Sequence, residues 1–511
     1  MGDLLCAVDV GTTGVKASVF TADGTVMRTA YREHALRFPA QDRVEQDAGV
    51  LEQAFDETLQ EATAGIAGEI AAVAVTSARA TFAAVDRDGK ALTPFIIWQD
   101  RRSIVTCERL RERIGNAEYF ALTGLNLEPV AVGSKAVWLR EEEPAIDAGT
   151  ARYWLQQTYF LHRLGVEDPP TEPSMAGYFG LMDLSACAWS PTVLEAFALD
   201  PSRLPRIAQA GEVVGAVSAL GAECTGLQAG TPIVLAGSDA ACCWLGAGMV
   251  RDGQVAAYVG TAAALAAQTP RPVRDPEQKM TCLPATTAAT WTVEGLLLSA
   301  GGALRWFRDA LAPMEMAEAE ARGIDAYEVI AEAVASVPAG AHGLLVVPTL
   351  VGAGAPYWEP RARGMVLGLG LHSTRADIAR GFMEGVALEL RTALEEMRRV
   401  GVDVREVTLT GGGARSAVWN QIHADVHGVP VTTVATADPT ALGAAICAGC
   451  GVGMFASLQE GARTMARADR RFEPDPARHA QYSEMLGVYR QVMEAFGRSR
   501  LHEAIAGLEH S

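Results

Sequence analysis

The stretch VDVGTTGVKASVF, residues 8–20, decides how this chain is read. An apolar strand-like run ends in Gly11-Thr12-Thr13-Gly14, and a second strand-like run follows. A related element, YVGTAAALAAQT, stands at residues 258–269, almost half a chain away. A Gly-Thr turn between strands points backbone N–H groups and hydroxyls into one concavity. Glycine there admits close approach and positive φ, so the turn is either a phosphate cradle or a plain closure between strands. Two copies on two related halves predict a nucleotide clamped between domains. Asp9, two residues before Gly11, can reach a phosphate-bound Mg²⁺, directly or through water.

Working outward, 511 residues are too many for one core and predict two or three domains. Hydrophobic residues at 49% and charged residues at 20% fit a packed globular protein. A net charge of −18 and a pI of about 5.0 argue against a nucleic-acid partner. The N-terminal stretch carries Asp3 and Asp9 and no basic region, so no signal peptide is expected. Gly226–Val250 is the most apolar run, but Asp239 interrupts it, and no membrane helix is expected. Nine scattered cysteines without framework spacing fit a reduced, cytoplasmic enzyme. Cys447 and Cys450 form a C-x-x-C inside a small-residue helical run and are read as packing.

The first third alternates strand-like runs (4–10, 15–21, 26–33, 71–76 and 82–86) with a helical stripe of Val50, Leu51, Ala54, Phe55, Leu59 and Ala62. That order predicts an α/β domain with a mixed sheet. The second half repeats the plan. Strands surround Gly260-Thr261, and helices are predicted at 303–311, 376–400, 416–426 and 441–450. One amphipathic helix is expected over 476–508. Ser373 or Thr374 can cap the long helix and Gly401 can end it. The domain junction is placed near 249–253, giving domains 1–249 and 250–511.

Several constellations could carry chemistry. Gly411-Gly412-Gly413 lies between a strand and a helix, as a flat surface for a base or phosphate or as a plain turn. Asp239 follows an apolar strand and Gly237. It is either an acid at the ligand edge of an α/β sheet or a helix N-cap. In the first role it suits a general base that takes a hydroxyl proton. Trp98-Gln99-Asp100-Arg101 offers an aromatic face and polar groups to a sugar, or a buried Trp beside a surface ion pair. Arg79 has the same ambiguity. There is no Walker A or dinucleotide fingerprint, and the nine histidines show no metal spacing.

Taken together, these segments resemble the FGGY family of carbohydrate kinases, within the actin-like ATPase fold. The resemblance runs through DVGTTGVK (9–16), VEQD (44–47), PFIIWQDRR (94–102), Lys135 with Trp138-Leu139, LAGSDAA (235–241) and YVGTAAA (258–264). It continues in GALRWFRD (302–309), APYWEPRARG (355–364), LTGGGARSAVWNQIHADVHGVPV (409–431) and ALGAAICAG (441–449). It implies an α/β fold of two ribonuclease H-like domains with a deep cleft, ATP on the C-terminal domain and sugar on the N-terminal one. It implies that Asp239 is the base, that Asp9 holds Mg²⁺ through water, and that Thr12, Thr13, Lys16 and Thr261 meet phosphates. Gly301 and Gly411, Gly412 and Gly413 would line the nucleotide pocket. Trp98, Arg79, Asp100 and Asp239 would face the sugar.

The departures concern the substrate. Xylulose kinases of the family usually carry Gln-Met-His-Gly where this chain has Ala78-Arg79-Ala80-Thr81. Glycerol kinases carry Arg-Glu there, so Arg79 matches and Ala80 does not. Gly352-Ala353-Gly354 replaces the usual Gly-Glu-Arg. The expectation is an ATP- and Mg²⁺-dependent kinase of a ketopentose such as D-xylulose. The alternatives are a glycerol or polyol kinase and an inactive sugar-binding regulator. A homodimer would be common for the family.

Overall fold

A computed structural model describes residues 2–508 and separates by internal contacts into two units. The first comprises Met1–Val250, Gln268–Thr292 and Asp438–Arg467; the second comprises Arg251–Ala267, Val293–Ala437 and Ala468–Ser511. The sequence division into contiguous halves has no counterpart of these two returning segments. Hydrophobic periodicity shows that a helix forms, not which sheet it packs on.

The first unit is built on a six-stranded sheet. Its order is Val213–Ala216, Pro232–Leu235, Ile70–Ser77, Leu4–Val10, Gly14–Thr21 and Val26–Glu33. Leu4–Val10 lies inside it, antiparallel to Gly14–Thr21 and parallel to Ile70–Ser77. Both of its faces are covered, which is why it reads as a continuous apolar run and not an alternating one. Val26–Glu33 is the edge strand and is largely exposed. The helix Ala48–Thr63 starts where Asp47 accepts a hydrogen bond from Val50 N at 3.2 Å. It buries Leu51, Ala54, Phe55, Leu59 and Ala62, and Phe55 stacks on Phe160 at 4.4 Å. Val50, expected in that stripe, points outward and is exposed.

The sheet of the second unit repeats the same succession of directions. Ala263–Thr269 is antiparallel to Gln254–Val259, which is parallel to Glu406–Thr410. Glu406–Thr410 is parallel to Val431–Val434, and that strand is antiparallel to Ala468–Phe472. The long helix spans Arg375–Arg399. Thr374 and Asp377 cap it reciprocally, and Asp377 accepts from Thr374 N at 2.7 Å. Ser416 caps Ala417–His427. The single tail helix expected from the sequence is two, Pro476–Arg498 and Leu501–Leu508, divided at Arg500, whose φ is 55°. Among the described residues no helix is long and apolar enough to cross a membrane.

Within the first unit, the helices Asp239–Gly246 and Pro439–Gly451 touch backbone to backbone. A Cβ on Gly246 would lie 1.9 Å from Pro439 O, and one on Gly443 would lie 1.9 Å from Cys242 O. Each helix carries an acid at its N-terminus, Asp239 and Asp438 respectively. The crossing therefore sets where two site carboxylates stand. Alanine at position 443 would gain about 1 kcal/mol of helix propensity, but the clash is with backbone and cannot be relieved by a rotamer change. Gly443→Ala is expected to lower stability by about 1–3 kcal/mol, read as a lower urea midpoint. An unchanged midpoint would contradict the close crossing.

Candidate functional site

In the first unit, the turn Gly11–Gly14 joins the two strands with Gly11 N donating to Gly14 O at 3.0 Å. Neither Gly11 nor Gly14 is left-handed, and Gly260 of the second copy is not either. Of the two reasons expected for these glycines, close approach and positive φ, the structure gives only the first. A Cβ on Gly14 would sit 2.5 Å from the Tyr31 ring. Asp9, Gly11, Thr13, Gly14, Lys16 and Tyr31 line an open depression of about 400 Å³ beside the turn. Gln46 holds the turn from behind, its Nε2 donating to Thr12 O at 2.9 Å, and Gln156 Nε2 donates in turn to Gln46 Oε1 at 2.7 Å.

Asp9 and Lys16 face each other across the hairpin. Lys16 Nζ lies 3.1 Å from Asp438 Oδ2, while Asp438 Oδ1 accepts from Ala441 N at 3.0 Å and caps the following helix. Asp9 Oδ1 is closed from solvent and has no hydrogen-bond partner among the described residues. Burial, then the charges of Asp239 and Asp438, hold the Asp9 carboxyl well above the usual carboxylate range, and Lys16 pulls it back only in part. Asp239 is neither the N-cap nor a free strand end. Ser238 is the cap, accepting from Ala241 N at 3.2 Å, and Asp239 is the first helical residue. Asp239 Oδ1 accepts from Ala240 N at 2.7 Å.

The residues expected at the sugar separate into two kinds. Trp98 is exposed, and its Nε1 donates to Thr12 Oγ1 at 3.1 Å, so it touches the turn directly. Arg79 lies with its guanidinium 4.4 Å from the centre of the Tyr178 ring, a cation–π pair at the surface of the unit. Asp100 requires a correction. It is fully buried, and both oxygens are engaged: Oδ1 by Arg102 N and Nε, Oδ2 by Arg102 Nη2 and by Val44 N at 2.8 Å. It braces the loop after Trp98 and presents no open carboxylate. Lys135 assists, donating to Ile97 O at 2.7 Å from a fully buried position where desolvation pushes its amine down to about 7.

In the second unit, the segments expected at a nucleotide converge on the turn after Gln254–Val259. Gly301 N donates to Gly260 O at 2.8 Å, and Gly302 N to Thr261 O at 2.9 Å. A Cβ on Gly301 would be 2.5 Å from Gly260 O. Gly411 has φ of 86°, and a Cβ there would approach Val259 O at 2.8 Å. Gly412 faces open space, and a Cβ on Gly413 would strike the Val259 side chain at 2.6 Å. Each glycine of the run thus has a separate reason, two of closeness and one of exposure, which a plain turn does not ask for. Thr261 is exposed at the tip.

Sequence reasoning missed Asp438, Gln46, Gln156, Tyr31 and Tyr178. Asp438 carried a signal, since Asp followed by Pro439 is a helix start. Gln46 lies in the VEQD segment that carries the resemblance, though its role there was not read. Gln156, Tyr31 and Tyr178 carried no signal, because their partners lie far along the chain. Asp9 generates a pH prediction. Its folded-state value is raised, so its contribution favours folding at low pH and is lost as pH rises through that value. Asp9→Asn is therefore expected to match wild type near pH 4 and to melt a few degrees higher at pH 7–8 without divalent cations. A variant that melts lower at pH 8 than wild type would contradict the unpaired buried charge.

Comparison with known proteins identifies the family. Residues 4–246 match the N-terminal domain of the FGGY family of carbohydrate kinases, and residues 255–452 match its C-terminal domain. A glycerol kinase of Aromatoleum aromaticum is 33% identical, covering 96% of this chain and 99% of its own length. A gluconokinase of Bacillus subtilis is 29% identical, covering 89% of this chain and 88% of its own. Among solved structures, the xylulose kinase from Rhodospirillum rubrum superposes with a TM-score of 0.88 at 26% identity, covering 97% of this chain and 99% of that one. The chain belongs to the FGGY family of carbohydrate kinases, phosphotransferases with an alcohol group as acceptor, and has the family's two-domain α/β fold.

Proposed function

We propose that this chain transfers the γ-phosphoryl group of ATP to a hydroxyl of a small polyhydroxylated substrate, first a ketopentose such as D-xylulose, with Asp239 as the base. The observation that carries this is the gathering of Asp239, Asp438 and Lys16 about the buried Asp9 carboxyl beside the Gly11–Gly14 turn. In the step, the acceptor oxygen bonds to the γ-phosphorus, the bond from that phosphorus to the bridging oxygen breaks, ADP leaves, and Asp239 takes the hydroxyl proton. Phosphoryl transfer asks the protein for alignment and charge compensation more than covalent chemistry. Thr12, Thr13 and Lys16 of the first unit, and Thr261, Gly301 and Gly411 to Gly413 of the second, are assigned to the nucleotide. Trp98 and Arg79 are assigned to the acceptor, with Tyr178 supporting Arg79.

The residues fit Mg²⁺. Asp9 offers a buried carboxylate oxygen with no hydrogen-bond partner among the described residues. Asp9 would hold the ion, and the ion would neutralise phosphate charge. The three relatives' names divide the substrate among glycerol, gluconate and xylulose. A second reading, glycerol, is favoured by Arg79 at the position of the glycerol-kinase arginine and by 33% identity over nearly the whole chain.

Asp239→Asn should lower kcat by ~100- to 10,000-fold while ATP affinity, measured by calorimetry, changes little. Retained turnover would reject Asp239 as base. ADP release with Mg-ATP and D-xylulose, glycerol or gluconate is expected to give the highest kcat/KM with D-xylulose. Glycerol in first place would replace the ketopentose assignment.

A further inference from the structure

The three residues before Asp239 are not held by strand pairing, because the strand ends at Leu235. They are held by side chains from elsewhere in the first unit. Gln157 Nε2 donates to Ala236 O at 2.7 Å, and Thr76 Oγ1 donates to Gly237 O at 2.8 Å. Ser238 is held through Ser174. Ser238 N donates to Ser174 Oγ at 3.0 Å, and the two hydroxyl oxygens lie 3.1 Å apart.

Behind Ser174 stands Glu172, fully buried. Its Oε2 accepts from Ser174 Oγ at 2.5 Å, from Ser174 N at 2.8 Å and from Met175 N at 3.3 Å. A serine hydroxyl has one proton and two lone pairs. The Ser174 hydroxyl accepts the N–H of Ser238 and directs its proton to the short contact with Glu172, with Ser238 Oγ as the longer alternative acceptor. Ser238 Oγ then keeps a lone pair for Ala241 N, the capping bond of the helix that Asp239 begins. The chain of donors has one direction, from Ser238 through Ser174 to Glu172.

Glu172 Oε1 is buried without a partner. Burial pushes the carboxyl up to about 8, and the titratable groups facing it are the thiols of Cys187 and Cys242. A proton on Glu172 belongs on Oε1, since Oε2 is already filled by donors. A neutral amide in place of the acid would keep the carbonyl acceptor at Oε2.

We propose that Glu172 is a positioning residue, fixing the Asp239 carboxylate through Ser174 and Ser238. It touches no substrate and acts only through the backbone and cap it holds. Displacements well under 1 Å at a reacting group change rates greatly, and about 1 Å can cost 100-fold. The consequence for turnover rests on the kinase assignment above; the structural link does not.

The test has two arms. Amide hydrogen exchange over residues 238–242 reads the link without any substrate. Ser174→Ala and Glu172→Ala should each speed exchange there by about fivefold or more, while Glu172→Gln leaves it as in wild type. Unchanged exchange in both alanine variants overturns the proposal, whatever the turnover. In the second arm, kcat should fall about tenfold or more in the alanine variants at nearly constant KM for ATP, and Glu172→Gln should restore it. A rise in KM with kcat unchanged, or a glutamine variant as impaired as the alanine one, also overturns it. If Glu172→Ala does not fold, Ser174→Ala still decides, because it keeps the buried carboxyl and removes only the link. Absence of turnover in wild type would strike the kinase assignment and leave the exchange arm standing.

Discussion

The buried Asp9 carboxyl stands near two further carboxylates, Asp239 and Asp438, and one ammonium group, Lys16, and the first unit has to hold that imbalance of charge. Burying a carboxylate costs several kcal/mol, whereas an exposed ion pair returns about 0–1 kcal/mol. Lys16, 37% exposed and paired with Asp438, cannot cancel the cost of the closed Asp9 oxygen. The cost is met by the surroundings: a strand buried on both faces, a hairpin in full register, and two helices packed without side chains between them.

The rigidity comes from buried amides and hydroxyls as much as from the apolar core. Gln156 and Gln157, adjacent at the start of one helix, serve different places. The first holds the Gly11–Gly14 turn through Gln46, and the second holds the approach to Asp239. Asp100, with Arg102 and Lys135, does the same for Trp98. Polar groups that are expensive to bury are used where the backbone has left its sheet and must still be fixed. That is also why Asp100 looked like a sugar ligand in the sequence: residue type alone does not distinguish a carboxylate that binds from one that braces.

Much of the fold was legible. Apolar runs and stripes of period 3.6 gave the central strands of the first sheet and the helices Ala48–Thr63, Gly301–Leu311, Arg375–Arg399, Ala417–His427 and Pro439–Gly451 to within a few residues, while most of the helices between residues 104 and 246 went unpredicted. Caps such as Asp47, Thr374 and Ser416 are local chemistry that a sequence displays. The repeated Gly-Thr element and the triple glycine marked turns that the structure shows to be closely packed. What was not legible has one cause. Val50 facing outward, the packing of the returning helix Pro439–Gly451, the pairing of Gln46 with Gln156 and that of Ser174 with Ser238 all depend on contacts between residues far apart in the chain, and those contacts leave no periodic trace.

By itself the sequence determined the family, the α/β class, the duplicated plan and the acids available for chemistry, because these follow from local pattern and from motifs of fixed spacing. Only the tertiary structure decided which acids share a charge. It decided that Gly14 is needed for the Tyr31 ring and not for its φ, and that Ser238 caps the helix that Asp239 begins. It also decided that Asp100 is closed to solvent. The physical reason is that charge coupling, steric clearance and burial are properties of distances in space, and the chain fixes those distances only when sheets and helices have packed.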